Sequence, residues 1–551
     1  MKLKDRPSYL FLLSLLTGVL LYLGWPTKPT AFILFFAFVP LLIIEDHVSN
    51  SMLKKKGLKF FGYAYVGLLV WNILTTWWIY NASAGGGIFA IMANSFLMCI
   101  PLLLFFYTKK LTNLPIGLTS LIAYWLTFEF IHLNWVLTWP WLTLGNAFAS
   151  MHEAVQWYEF TGVLGGSLWI LVCNVLIFYF IKHRRTLVNT KVKTITAATI
   201  VLLILVPALV SFYIYRNQVD AGKEVEVVVV QPNIDPYEEK FSGSPKFIPY
   251  EMQLSRFLDL SEKAITKDTR YVVWPETALP YGYVEDQIIS YDVIKKLQQF
   301  VQQHSNISLI TGLDTYKLYQ TKATSSARPY GDEGDGYIEA FNSALQINEN
   351  QEMVIYHKSR LVPGVEYMPP LLSSFAIALG ESAGGLGRQE TRTVFYNKDS
   401  IGVAPVICYE SIFGEFVTDY IRNGANMIFI ITNDGWWGNT QGHKQHLQYG
   451  VLRAIETRKS IARSANTGIS GFINQRGDIL EQSEYWVQDV MRMKIKQNDY
   501  LTFYTRHGDY IGNAASYSSL AIFLIALIYG IKKRKRERND KDGSKIHAVG
   551  A

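Results

Sequence analysis

Long apolar runs separated by short polar connections fill the N-terminal part of the chain: Tyr9–Leu23, Ala31–Ile44, Phe60–Tyr80, Ile88–Tyr107, Ile116–His132, Ser167–Ile181 and Ile195–Tyr215. Several approach the roughly 20 residues needed to cross a hydrocarbon layer, and aromatic flanks lengthen the shorter ones. Seven spans are predicted here, and Tyr510–Ile531 makes an eighth near the C-terminus. From Lys223 to Thr505 the period changes. Glu224–Gln231, Arg270–Trp274, Ile307–Gly312, Ala340–Ile347, Met353–His357, Ile401–Cys408 and Met427–Thr432 are short β-branched runs closed by polar or turn residues, the pattern of buried strands. Helical periods occupy Tyr250–Ile265, Asp286–Gln303 and His443–Lys459, and Asn348-Glu-Asn350 reads as a hairpin turn. The chain therefore divides into a membrane domain (1–222), an α/β domain with mixed sheets (223–505) and a C-terminal span with a basic tail (506–551).

Composition agrees: 50% of the 551 residues are hydrophobic and only 18% charged, too apolar for a purely soluble protein. The net charge of +7 matters less than its placement. Lys and Arg cluster at Met1–Arg6, Lys54–Lys59, Lys109-Lys110, Lys182–Lys193 and Lys532–Arg538, all at alternate connections. Basic loops stay in the cytoplasm, so both termini are expected there and the α/β domain on the outer face; nothing in this charge calls for nucleic acid. Met1–Leu23 resembles a signal peptide, but no small-x-small cleavage site follows it, and it is read as an anchor.

Three strand ends carry candidate chemistry. A carboxylate follows one in Trp274-Pro-Glu276, an amine another in Tyr356-His-Lys358, and a thiol closes a third in Val406-Ile-Cys408. Brought together they would supply a base, an electrostatic stabiliser and a nucleophile. Each also has a structural reading: Glu276 as a helix start or ion-pair partner, Lys358 as a surface lysine, Cys408 as a small core residue. With three cysteines there is no disulfide framework, and Cys99 and Cys173 sit inside apolar runs.

The segments "WPET", "HKSRLVPGVEYMP", "PVICYES" and "TNDGWWGNTQGHKQH" followed by "RAIETRKSIARSANTG" resemble, in this order, the signature segments of the nitrilase or carbon–nitrogen hydrolase superfamily. A domain of that kind flanked by membrane spans is similar to the bacterial apolipoprotein N-acyltransferases. The resemblance implies about eight transmembrane helices, an αββα sandwich on the periplasmic or outer face of the bacterial inner membrane, and a two-step acyl transfer. Cys408 would be the nucleophile, Glu276 the base and Lys358 the oxyanion stabiliser. The acyl donor would be a phospholipid from the surrounding membrane lipid, and the acceptor a diacylglyceryl apolipoprotein; no cofactor and no metal are implied. Glu366, Tyr409 and Glu410 match supporting positions of that family. Arg453 and Glu456 read as a structural ion pair, Asn433-Asp-Gly435 as a turn, and His443 and His446 as helix-start histidines with no third ligand spaced to join them. The family often has a Trp after the first strand of the domain; this chain offers Tyr237 and Phe241. Pro369–Gly387 is apolar where a soluble hydrolase would be polar, and is expected to act as a lid on the bilayer.

A membrane-tethered amidase would use the same Glu, Lys and Cys, although one anchor would suffice for it. A transporter would need polar or ionisable residues within several spans, and the first seven offer few beyond Glu129 and Asn174.

Overall fold

The computed structural model describes residues 7–184, 190–304, 306–331, 336–368 and 385–549. Most of the expected lid, 369–384, lies outside them. The first helix, α1 (Pro7–Leu23), has 17 residues and packs on α3 (Lys56–Asn81), where Gly18 and Gly67 face each other's helix with no room for a Cβ. With α3, six more helices are long and apolar enough to cross a membrane: α2 (Ala31–Asn50), α4 (Ala84–Leu111), α5 (Leu114–Asn134), α6 (Tyr158–His183), α7 (Thr190–Asn217) and the C-terminal Tyr510–Asn539.

Helix α2 is broken at Phe38. Asn174, buried in α6, repairs the break: its amide donates to Leu34 O at 2.7 Å and its oxygen accepts from Phe38 N at 2.8 Å. A free backbone group in this apolar setting would cost several kcal/mol, so the polar side chain is the condition for the kink. At one end of the bundle Lys109 of α4 pairs with Glu45 of α2, and Lys182 of α6 lies 2.6 Å from Asp46. These basic ends lie opposite the α/β domain.

Two sheets form that domain. The first takes β1 (Glu224–Gln231), β2 (Thr269–Val273), β3 (Leu279–Val284), β4 (Ser308–Tyr319), β5 (Arg328–Pro329), β6 (Tyr337–Ile347) and β7 (Met353–His357). The second takes β8 (Phe395–Tyr396), β9 (Gly402–Ile407), β10 (Met427–Thr432), β11 (Ile461–Ala465), β12 (Gly471–Ile473) and β13 (Ile479–Gln482); β14 (Asp489–Lys496) then returns antiparallel to β1. The strand orders are β14-β1-β2-β4-β6-β5, with β3 beside β4 and β7 beside β6, and β13-β12-β11-β10-β9-β8.

Strand period places the layers. Val225, Val227 and Val229 point into the core shared with Ile407 and Phe429 of the second sheet, while Val228 and Val230 point the other way, onto Phe257 and Leu297. Those two belong to α8 (Tyr250–Ala264) and α9 (Asp292–Gln303); α10 (Gly414–Arg422) and α11 (Gln441–Thr457) cover the second sheet, giving the expected αββα order. The α11 layer is also the floor that rests on the membrane helices. Tyr449 accepts from Trp25 Nε1 at 3.1 Å and donates to Trp141 O at 2.9 Å, Arg458 pairs with Glu159 at 3.0 Å, and Asp478 accepts from Tyr215 at 2.7 Å. The last helix, α12 (Tyr510–Val549), packs back against α5, with Thr127 and Ser519 hydroxyls 2.8 Å apart.

Candidate active site

The residues just beyond β2 in the first sheet, and just beyond the parallel neighbours β9 and β10 in the second, converge with the end of β7. Cys408 follows β9 with φ +49, a left-handed conformation that costs a non-glycine residue about 1–2 kcal/mol and turns the chain sharply at the thiol. Its carbonyl accepts from Ser411 Oγ at 2.7 Å. Glu276 lies two residues after Trp274, where β4 passes so closely that a Cβ on Gly312 would stand 2.7 Å from the Glu276 Cα.

The structure gathers the charged side chains. Lys358 is 1% exposed and its ammonium donates to Glu276 Oε1 at 3.1 Å and Glu366 Oε1 at 2.7 Å, which rules out a surface lysine. Glu276 Oε2 accepts from Asn433 N at 3.0 Å. Glu366 Oε2 accepts from Val362 N at 2.8 Å, so this carboxylate is fixed by the site and is not a solvated loop group. Asn342 on β6 was not singled out by sequence reasoning, yet its amide bridges Glu276 Oε1 at 2.8 Å and Glu366 Oε1 at 3.2 Å. Asn433 contributes a backbone N–H, so the Asn433-Asp-Gly435 turn does more than shape a wall.

Glu410 is fully buried and binds both strand ends: Oε1 accepts from Tyr356 OH at 2.7 Å and Ser359 N at 2.6 Å, Oε2 from Ile407 N at 2.9 Å. It locks the Lys358 strand to the Cys408 strand. Tyr409 points the other way, its hydroxyl donating to Thr138 O of the membrane domain at 2.9 Å. Tyr409 also lines an apolar cavity whose other walls include Phe89 and Leu97 of α4, Trp139, Val365 and Met368. The cavity thus joins the membrane helices to the residue beside the thiol.

Charge follows geometry. Burial pushes Lys358 down, but the Glu276 and Glu366 carboxylates outweigh it and hold the ammonium well above its ordinary range. Burial pushes the Cys408 thiol up, Glu276 adds to this, and Lys358 opposes it. The resting Cys408 is therefore a neutral thiol, and any attack by it would need a base. A second buried lysine, Lys240, donates to the Glu276 carbonyl at 3.4 Å; burial lowers it to about 8 and raises its neighbour Asp314 to about 7.

The remaining expectations divide. Arg453 and Glu456 pair as expected, with Nη2 to Oε1 at 2.8 Å, and Glu456 also accepts from Val163 N at 3.1 Å, tying α11 to α6. His443 stacks on Tyr485 at 4.0 Å. His446 departs from the expected helix-start role: one of its ring nitrogens, a carboxylate oxygen of Asp434 and Cys408 Sγ all lie within 4.8 Å of one another, and both ring nitrogens are engaged in hydrogen bonds. Tyr237 reaches across to the membrane domain, donating to Asn81 O at 3.3 Å, with its ring edge-on to Trp436. The aromatics on the cavity wall are instead Phe89, Trp139 and Tyr409.

Comparison with known proteins meets this geometry. The family model of the apolipoprotein N-acyltransferase N-terminal domain matches residues 17–176, and that of carbon-nitrogen hydrolase residues 229–502. The apolipoprotein N-acyltransferase of Chlorobaculum tepidum is 30% identical over 95% of this chain and 97% of its own. Those of Geobacter metallireducens (26%; 91% and 92%) and Thermotoga maritima (25%; 97% and 96%) are similar over nearly their full lengths. Among solved structures, an amidase of the nitrilase superfamily from Nesterenkonia is 16% identical, covering 54% of this chain and 99% of its own, with a TM-score of 0.36. A carbon–nitrogen hydrolase domain set on membrane helices, matched end to end by these relatives, places the chain in the apolipoprotein N-acyltransferase family.

Proposed function

We propose that this protein moves a fatty acyl chain from a phospholipid to the α-amine of a lipoprotein's N-terminal diacylglyceryl-cysteine, through a thioester on Cys408. The observation that carries this reading is the buried Lys358, clamped between two carboxylates beside a thiol whose neighbour Tyr409 opens onto an apolar cavity among membrane helices. Glu276 takes the thiol proton as sulfur attacks the ester carbonyl. The developing oxyanion is met by the Lys358 ammonium, and the C–O bond breaks with return of the proton to the lysophospholipid hydroxyl. The acceptor amine then attacks the thioester, Glu276 takes the amine proton, and the amide forms as the thiol is restored. Glu366 and Asn342 hold Lys358 and Glu276 in register; Glu410 and Tyr409 fix the strand ends and the cavity wall.

Residues 1–222 are the membrane domain, 223–505 the catalytic domain and 506–551 the closing span and tail. The catalytic domain is assigned to the outer face of the bacterial cytoplasmic membrane, because the basic connections lie at the opposite ends of the helices.

Purified protein incubated with phospholipid and no acceptor should gain a hydroxylamine-labile acyl group on Cys408, and none on Cys99 or Cys173. Cys408→Ala should abolish it. Full N-acyl transfer by that variant would overturn the mechanism. An acyl-enzyme discharged by water but never by a lipopeptide amine would make the protein a hydrolase instead.

A further inference from the structure

Beneath the nucleophile lies a second buried charge cluster that the acyl-transfer steps leave unused. Asp434, His446 and Arg463 come from the end of β10, from α11 and from β11, and all three are 0% exposed. Asp434 Oδ1 accepts from Thr432 Oγ1 at 2.8 Å and from His446 Nδ1 at 3.0 Å, while the Arg463 guanidinium pairs with Oδ2. On the far side of the ring, His446 Nε2 stands 3.1 Å from Cys408 O and 2.9 Å from Ser411 Oγ. The Trp141 and Trp437 rings, at 6.0 and 5.6 Å, close the remaining sides.

Burial pushes Asp434 up, but Arg463 and His446 outweigh it and hold the carboxyl well below its usual range. The Arg463 guanidinium also stands 3.3 Å from His446 Nδ1. A carbonyl oxygen has no proton to give, so in the contact with Cys408 O it is Nε2 that donates. The hydroxyl of Ser411 donates to the same carbonyl from 2.7 Å away. The carbonyl of the strained Cys408 peptide is thus gripped by two donors.

We infer that Asp434 and His446 are positioning residues for acylation, a charged clamp whose last hydrogen bond, from His446 Nε2–H to Cys408 O, holds the nucleophile in its left-handed turn. The inference rests on Cys408 being the nucleophile. Neither residue touches substrate. Each acts by keeping Sγ aimed at the ester carbonyl, with Lys358 and Glu276 facing the thiol from β7 and β2 and Arg463 facing the carboxylate from β11.

The decisive pair is His446→Ala, which removes the donor to Cys408 O, and His446→Gln, whose amide N–H reaches the same carbonyl. Single-turnover acylation by phospholipid micelles should fall roughly 10-fold in His446→Ala, the cost of losing a buried hydrogen bond, and Asp434→Ala, which releases the ring, should fall with it. The lipid concentration for half-maximal rate should stay the same. His446→Gln should retain most of the rate that His446→Ala loses. His446→Gln as slow as His446→Ala in folded protein would reduce the cluster to packing and overturn the inference. Should these variants fail to fold, Ser411→Ala deletes the other donor to that carbonyl; a several-fold loss is expected, and an unchanged rate is equally fatal. Parent protein that never acylates Cys408 would instead sink the proposed function.

Discussion

Lys358 is the residue on which the electrostatics of the site turn, because its ammonium is the one charge that favours the thiolate of Cys408 against burial, Glu276 and Asp434. Lys358→Met should slow acylation by on the order of 10²–10³, as expected when a charged donor to an oxyanion is lost. The same variant should move alkylation of Cys408 by iodoacetamide to higher pH: thiol reactivity follows the thiolate, and removing a nearby cation raises the thiol further above its ordinary value. Glu276→Gln should move it to lower pH. Shifts of the same sign in both variants would contradict the charge arrangement. Glu276, Lys358 and Cys408 stood out in the sequence because each sits in a short local motif at a strand end, and Glu366 because it matches a family position in the loop after β7. Asn342 and His446 were not, since what gives them meaning is contact with residues 66 and 38 positions away.

Elements were readable where one face or one environment repeats. β1, β7 and β10 stand as their β-branched runs predict, whereas β11 was missed because Ile-Ala-Arg-Ser-Ala has polar residues at buried positions. Arg463 is tolerated there because Asp434 neutralises it, a partner the local pattern does not reveal. Helix α2 shows the converse. Its apolar run predicts a continuous span, but the break at Phe38 depends on Asn174 far along the chain. Asn174→Leu should leave two backbone groups unsatisfied and lower stability by about 1–3 kcal/mol for each, read as a lower melting temperature in detergent. Acylation per folded molecule should be preserved, because the break is remote from Cys408. An unchanged melting point would show that the kink does not need its polar plug.

At the scale of the whole molecule, the docking contacts come from the connections after α1, α3 and α5, through Trp25, Asn81 and Trp141, while the Lys109 and Lys182 clusters sit at the other ends. That the basic connections gather at one end of the bundle was legible in the sequence; the tightness of the docking was not, because it rests on single side chains such as Tyr449 and Arg458. In cells with a permeabilised outer envelope, an impermeant thiol reagent should label Lys322→Cys and spare Lys54→Cys, both exposed positions. Equal labelling would defeat the assigned orientation. The packing of α12 on α5 has a consequence for assembly. Synthesis runs from the N-terminus at about 5–20 residues per second, so α5 waits on the order of tens of seconds for the helix that covers it. Throughout that interval the entire α/β domain is synthesised and, in the orientation proposed above, crosses the membrane to fold beside a bundle whose wall is still missing. The helix that covers α5 is thus made only after the domain it anchors.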